Sequence, residues 1–160
     1  MKNFARLDQP ELEYVDLHEG MESILTLMEH LIKDRIQVIK NYGELPKVKC
    51  YASQINQVFA NVLTNAVEAI DGAGSITITT RQEESGVVIQ VADTGSGIRP
   101  EHLERIFDPG FTTKGVGVGT GLGLSITYRI IEDHRGSIHV ESEPGRGTTF
   151  SLRLPSTATR

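Results

Sequence analysis

Val87-Val88-Ile89-Gln90-Val91-Ala92-Asp93-Thr94-Gly95-Ser96-Gly97-Ile98 is an apolar, β-branched run that ends in an acid and two spaced glycines. Its first half reads as a strand. Ser75 to Arg81 has the same character upstream, and Glu83 to Gly86 between them marks a hairpin. The carboxylate of Asp93 then falls at the strand end. The glycines let backbone approach a flat ligand closely, and an acidic acceptor suits an exocyclic amine such as that of adenine. A plain turn after a strand uses the same residues, so Asp-x-Gly-x-Gly alone leaves both readings open.

Upstream of the hairpin, Ile55, Val58, Phe59, Val62, Leu63, Ala66 and Ile70 recur at helical spacing behind Ser53 as a cap, and Asp71-Gly72 ends the helix. An earlier helix runs from Asp16 to about Asp34 on Leu17, Met21, Ile24, Leu25, Met28, Leu31 and Ile32. Asp16 and Glu19 form a start like a capping box. Ile36 to Tyr42 and Val48 to Tyr51 read as strands around the break at Gly43 to Pro46. Residues 94–120 lack a sustained pattern apart from a short helical piece over Glu101 to Phe107. Leu122 to Asp133 is helical with Gly136 as its stop. Ser137 to Ser142 and Thr148 to Leu154 make a final hairpin around Pro144-Gly145-Arg146-Gly147. The sum is a two-layer α/β sandwich: a mixed, mostly antiparallel sheet of about five strands with three main helices on one face.

The chain holds 160 residues, and its 38% hydrophobic and 23% charged composition fits a globular domain. Half of its 16 glycines fall between positions 95 and 123. With 16 basic against 21 acidic residues, and no Lys/Arg run, a nucleic-acid partner is not expected. A small anion held by backbone amides is still allowed. Cys50 is the single cysteine, so no intrachain disulfide or multi-cysteine zinc site can form, and its apolar neighbours suit a buried thiol. No apolar run is long enough to span a membrane, and no signal peptide is visible. These features fit a cytoplasmic domain without membrane contact and leave open an anchor elsewhere in a longer protein. Residues 1–15 read as a linker, 16–155 as one domain and 156–160 as a tail.

Three other stretches carry candidate chemistry. Asn61, Asn65 and Glu68 share one face of the second helix, opposite its apolar stripe. Asparagine is a poor helix former, so two of them one turn apart suit amide oxygens aimed at a bound ion such as Mg²⁺. A solvated face has the same spacing. Gly115 to Gly123, glycine at every second position, leads into an apolar helix, where backbone N–H groups and the helix dipole favour phosphate. It is neither a Walker A loop nor a dinucleotide fingerprint. Between these lies Phe107-Asp108-Pro109-Gly110-Phe111-Thr112-Thr113-Lys114, two aromatics around a turn with a lysine after them. The aromatics can equally be core, and Lys114 a solvated charge. Gly145-Arg146-Gly147-Thr148 by itself is a hairpin turn.

The order of these motifs resembles the ATP-binding catalytic domain of two-component sensor histidine kinases, a GHKL-type Bergerat fold shared with gyrase, mismatch-repair ATPases and heat-shock chaperones. The resemblance covers about residues 16–155. Asn61 to Ala66 resembles the N box, Asp93 to Gly97 the first glycine box, Phe107 to Phe111 the F box, Gly119 to Gly123 the second glycine box and Gly145 to Thr148 the last glycine motif. It implies ATP and Mg²⁺, with Asn65 as metal ligand and Asp93 accepting from the adenine amine. Gly97 would lie close to the base, with Thr148 supporting it through water. Gly119, Gly121 and Gly123 would place amides on the phosphates, and residues from about 100 to 121 would form an ATP lid. Asn61, Gly95, Ile98, Phe107, Thr113, Lys114, Thr120, Leu122 and Leu124 complete the nucleotide-contacting set.

It further implies transfer of the γ-phosphoryl group to a histidine on a separate dimerisation and phosphoacceptor domain of the same full-length kinase. Relay to an aspartate on a response regulator would follow. None of His18, His30, His102, His134 and His139 sits in a phosphoacceptor context, and each reads as a solvated histidine. The isolated domain would be a monomer. Asn61 stands where hydrolytic relatives carry a catalytic Glu, and an amide cannot act as a general base. Two departures stand out. Glu68 replaces a basic residue common near the terminal phosphate, a charge that Lys114 would supply instead. Gly110 stands where a second aromatic is common. The rival readings are a hydrolytic ATPase of the same superfamily and a non-catalytic interaction module that kept the fold.

Overall fold

A computed structural model describes residues 11–109, 111 and 123–156. Its elements are β1 (Leu12–Val15), α1 (Leu17–Leu27), α2 (Glu29–Ile32), β2 (Ile36–Tyr42), β3 (Val48–Tyr51), α3 (Ala52–Ala69), β4 (Gly74–Glu83), β5 (Gly86–Asp93), α4 (Pro100–Leu103), α5 (Gly123–Asp133), β6 (Ser137–Glu143) and β7 (Gly147–Pro155). Five strands form one sheet in the order β2-β4-β5-β7-β6, with β1 and β3 as a separate antiparallel pair. Only β2 and β4 run parallel within the five-stranded sheet, and the chain between them holds β3 and α3.

Strand registers show which face is buried. Ile78, Val91 and Phe150 stand opposite one another on β4, β5 and β7, and Ile89 faces Leu152. All five are buried in one core with Ile55, Phe59, Val62 and Leu63 of α3 and Ile130 and Ile131 of α5. The opposite face holds Thr77, Thr79 and the Gln90–Ser151 side-chain hydrogen bond. The expected sandwich of a mixed, mostly antiparallel sheet under one layer of helices is therefore the fold.

Several local expectations differ. The first helix breaks at Met28, and Met28, Ile32 and Ile36 stay buried across the break. Asp16 does cap it, accepting from the amides of His18 and Glu19. Residues Leu12–Val15, inside the expected linker, pair with β3. Ser53 lies within α3 and is not its cap; Tyr51 holds that place, and its N–H donates to Nε2 of His134 at 3.1 Å. Past α5 the left-handed residue is Arg135 (φ 63), not Gly136, whose N–H closes the helix onto the Ile131 carbonyl. The helical piece after the Asp93 turn is confined to Pro100–Leu103, started by the proline at its N-terminus.

Candidate functional site: a strand-end carboxylate and two amides on one helix

The inward-facing rows of three strands turn from apolar to polar at the same end of the sheet. On β5 the series Val87, Ile89, Val91 ends in Asp93; on β7 Leu154, Leu152, Phe150 ends in Thr148; on β6 Ile138, Val140 ends in Ser142. Register puts Asp93 opposite Thr148 and Thr148 opposite Ser142. Asp93 is only 7% exposed. Its Oδ1 accepts from the Gly95 amide at 2.8 Å. Burial pushes its carboxyl above the ordinary range, and the backbone amides of Gly95 and Thr148 pull it back part of the way. Such a carboxylate is a poorly hydrated acceptor, suited to a donor that enters the site.

Ser142 is the polar residue that the sequence reading missed. Its Oγ lies 2.8 Å from Thr148 Oγ1, accepts from the Ile98 amide at 2.7 Å and donates to the Gly147 carbonyl at 3.0 Å. It ties the loop after Asp93 to β6 and β7. The available signal was its phase, two residues beyond Val140 on an inward row.

Gly95 and Gly97 are also required by contacts within the protein. A Cβ on Gly95 would run into the Ala69 carbonyl at the end of α3. At Gly97 (φ +78) it would meet the Glu143 carbonyl and lie 2.9 Å from Pro144 Cα. Ser96 N–H donates to Ala69 O at 2.9 Å, and Gly145 N–H to Ser96 O at 2.7 Å. These glycines let the Asp93 loop pack against the protein's own backbone.

Helix α3 links this corner to α5. Asn61 Nδ2 donates to Gly123 O at 3.0 Å and to Thr127 Oγ1 at 3.2 Å. Asn65 is half-buried, one turn further on, and its amide has no partner among the described residues. Asn61 and Ala69 each lie four residues from Asn65, about 6 Å along the axis. Asn65 thus stands midway between the Asp93 loop and the start of α5, a span that suits an extended ligand.

The aromatic turn packs onto protein. Phe107 lies against Tyr128 of α5 at 5.3 Å between ring centroids, and Phe111 against His102 at 5.4 Å. The Arg105 guanidinium sits 4.7 Å over the Phe111 ring. Ile98 and Leu124 pack on the core. Thr113, Lys114, Gly119, Thr120, Gly121 and Leu122 lie outside the described residues, as do Gly110 and the second half of the expected lid. Three histidines expected to be solvated, His18, His102 and His134, are half-buried and in contact with other side chains or backbone. His18 stacks on Tyr42 at 4.2 Å with Nε2 2.8 Å from Thr80 Oγ1, and His134 joins α5 to Tyr51. Cys50 is buried, which pushes its thiol up to about 11.

Residues 50–158 match the family model for the histidine kinase-, DNA gyrase B-, and HSP90-like ATPase. The chain belongs to this family, and its fold and relatives make it the ATP-binding catalytic domain of the sensor histidine kinase type. It is 43% identical to the sensor histidine kinase ZraS of Escherichia coli over 93% of this chain and 32% of that protein. Against the sensor kinase CckA of Brucella abortus it is 39% identical over 95% of this chain and 18% of that protein. It therefore spans a third or less of the length of these two relatives. The nucleotide-free catalytic domain of histidine kinase ThkA superposes with a TM-score of 0.82 at 35% identity, over 92% of this chain and 99% of that one. ThkA is also known in complex with the response regulator protein TrrA. No helix among the described residues is long and apolar enough to cross a membrane.

Proposed function

We propose that this chain binds Mg²⁺-ATP and passes the γ-phosphoryl group to a histidine on a separate helical domain of a longer, cytoplasm-facing kinase, for relay to a response regulator. The observation that carries the reading is the buried Asp93 carboxylate, held at the sheet end by Gly95 and set beside Thr148. Asp93 would accept from the adenine amine and orient the base. The Asn65 amide, without a partner among the described residues, supports a metal, since a neutral oxygen beside phosphate oxygens is a fitting Mg²⁺ donor set. Bound there, Mg²⁺ would offset charge on the phosphates. Amides of Gly119, Gly121 and Gly123 would hold the phosphates, with Lys114 adding a positive charge near the terminal one. Catalysis of this kind is positioning and charge stabilisation. The response regulator bound to ThkA supports the last step by kinship.

Asn61 separates this reading from hydrolysis: its amide is a donor to α5 and no base for water. The test is radiolabelled γ-phosphate transfer to a purified helical domain carrying the acceptor histidine, supplied in trans. Labelled acceptor with little free phosphate in its absence is expected. Rapid phosphate release without acceptor, and no labelling with it, would replace the kinase reading by the hydrolytic one.

A further inference from the structure

Thr127 is 0% exposed. A buried hydroxyl is costly unless it is hydrogen-bonded, and valine would fill the same volume without that requirement. The Thr127 Oγ1 accepts from Asn61 Nδ2 at 3.2 Å, and the same nitrogen donates to Gly123 O at 3.0 Å. The two acceptors lie four residues apart on α5, one above the other on a single face. One side-chain amide of α3 therefore grips two successive turns of α5. The gripping residue is one turn from Asn65.

We infer that Thr127 is a positioning residue, acting through Asn61: it fixes the axial register of α5 against α3, and so the phosphate-facing start of α5 against Asn65. The inference rests on the Mg²⁺-ATP reading above. The grip also gives Asn61 a reason independent of hydrolysis. A carboxylate at 61 has no N–H to give, and it would face the Gly123 carbonyl oxygen. Converting Asn61 to the acid of the hydrolytic relatives would break the grip as it introduced the base.

The experiment compares Thr127→Val and Thr127→Ser with the unmutated chain by calorimetry with Mg²⁺-ATP. Adenosine, titrated by chemical-shift perturbation, serves as a probe of the base end alone. Loss of one buried hydrogen bond predicts about 3- to 30-fold weaker Mg²⁺-ATP binding by Thr127→Val. Adenosine affinity should hold within about twofold, since its contacts lie at the Asp93 end. Thr127→Ser, which keeps the hydroxyl, should restore Mg²⁺-ATP binding. Asn61→Ala combined with Thr127→Val should cost little more than Asn61→Ala alone. Parallel loss of both ligands, unchanged Mg²⁺-ATP affinity, no rescue by serine, or additive single effects would each overturn the inference. Absence of Mg²⁺-ATP binding by the unmutated chain would instead remove the functional reading, and this inference with it.

Discussion

Gly97→Ala separates two reasons for a glycine in the Asp93 loop. If Gly97 is there only to admit a nucleotide, the substitution leaves the empty protein as stable as before. If it is there for packing, stability falls with no ligand present. The structure favours packing, since Gly97 has φ +78 and an added Cβ would collide with the Glu143 carbonyl and crowd Pro144 Cα. The left-handed backbone costs an L-residue about 1–2 kcal/mol. Relief of the overlap against backbone, which cannot rotate away as a side chain can, adds about 1–3 kcal/mol. The sum is about 2–5 kcal/mol, which at this chain length lowers Tm by roughly 5–15 °C. Circular dichroism melts of nucleotide-free protein read this directly. A Tm within about 1 °C of the parent, together with lost ATP binding, would refute the packing account.

Asp93→Asn should raise the stability of the empty protein while removing most ATP binding. Burial holds the Asp93 carboxyl above its ordinary value of 3.8, so its ionised form is disfavoured in the folded state. The stability linked to its protonated form is present below that value and lost as pH rises through the raised one. Subtracting the melting curves of the variant from those of the parent across pH should isolate that loss; a variant less stable at neutral pH would contradict the sign. Lys114→Ala should slow phosphotransfer much more than it weakens nucleotide binding, measured by single turnover and calorimetry, and equal transfer rates would remove Lys114 from the mechanism. His134→Ala deletes the acceptor for the Tyr51 amide and should cost about 1–3 kcal/mol in urea unfolding; a midpoint unchanged from the parent would show that water replaces the ring.

The helices and strands were legible because most carry an uninterrupted period. The stripe of α3 survives in the structure with its buried residues as expected, and the apolar run of β5 is a strand. Asp93 could be found because it ends an apolar run just before two spaced glycines, whereas Thr148 came only with the order of the motifs. Ser142 closes an inward row, yet a lone serine in a charged hairpin draws no notice until register places it beside Thr148. Long-range contacts were the blind spot. Nothing local says that the Tyr51 amide is taken by His134, that Asn61 reaches Gly123 and Thr127, or that Gly95 faces Ala69. β1 escaped because its four residues pair with β3 across α1 and β2, and their own pattern is mostly exposed.

A buried carboxylate at the end of β5 that accepts from the amine of adenine must tell one purine from the other. Calorimetric titration of the unmutated chain with ATP and then GTP, both with Mg²⁺, tests it most directly. Guanine presents a carbonyl oxygen where adenine presents the amine, and a desolvated acceptor rejects such a swap strongly. ATP should bind in the micromolar range, about −8 kcal/mol, and GTP at least about 100-fold more weakly. Equal affinities for the two nucleotides, or no binding of either, would contradict it.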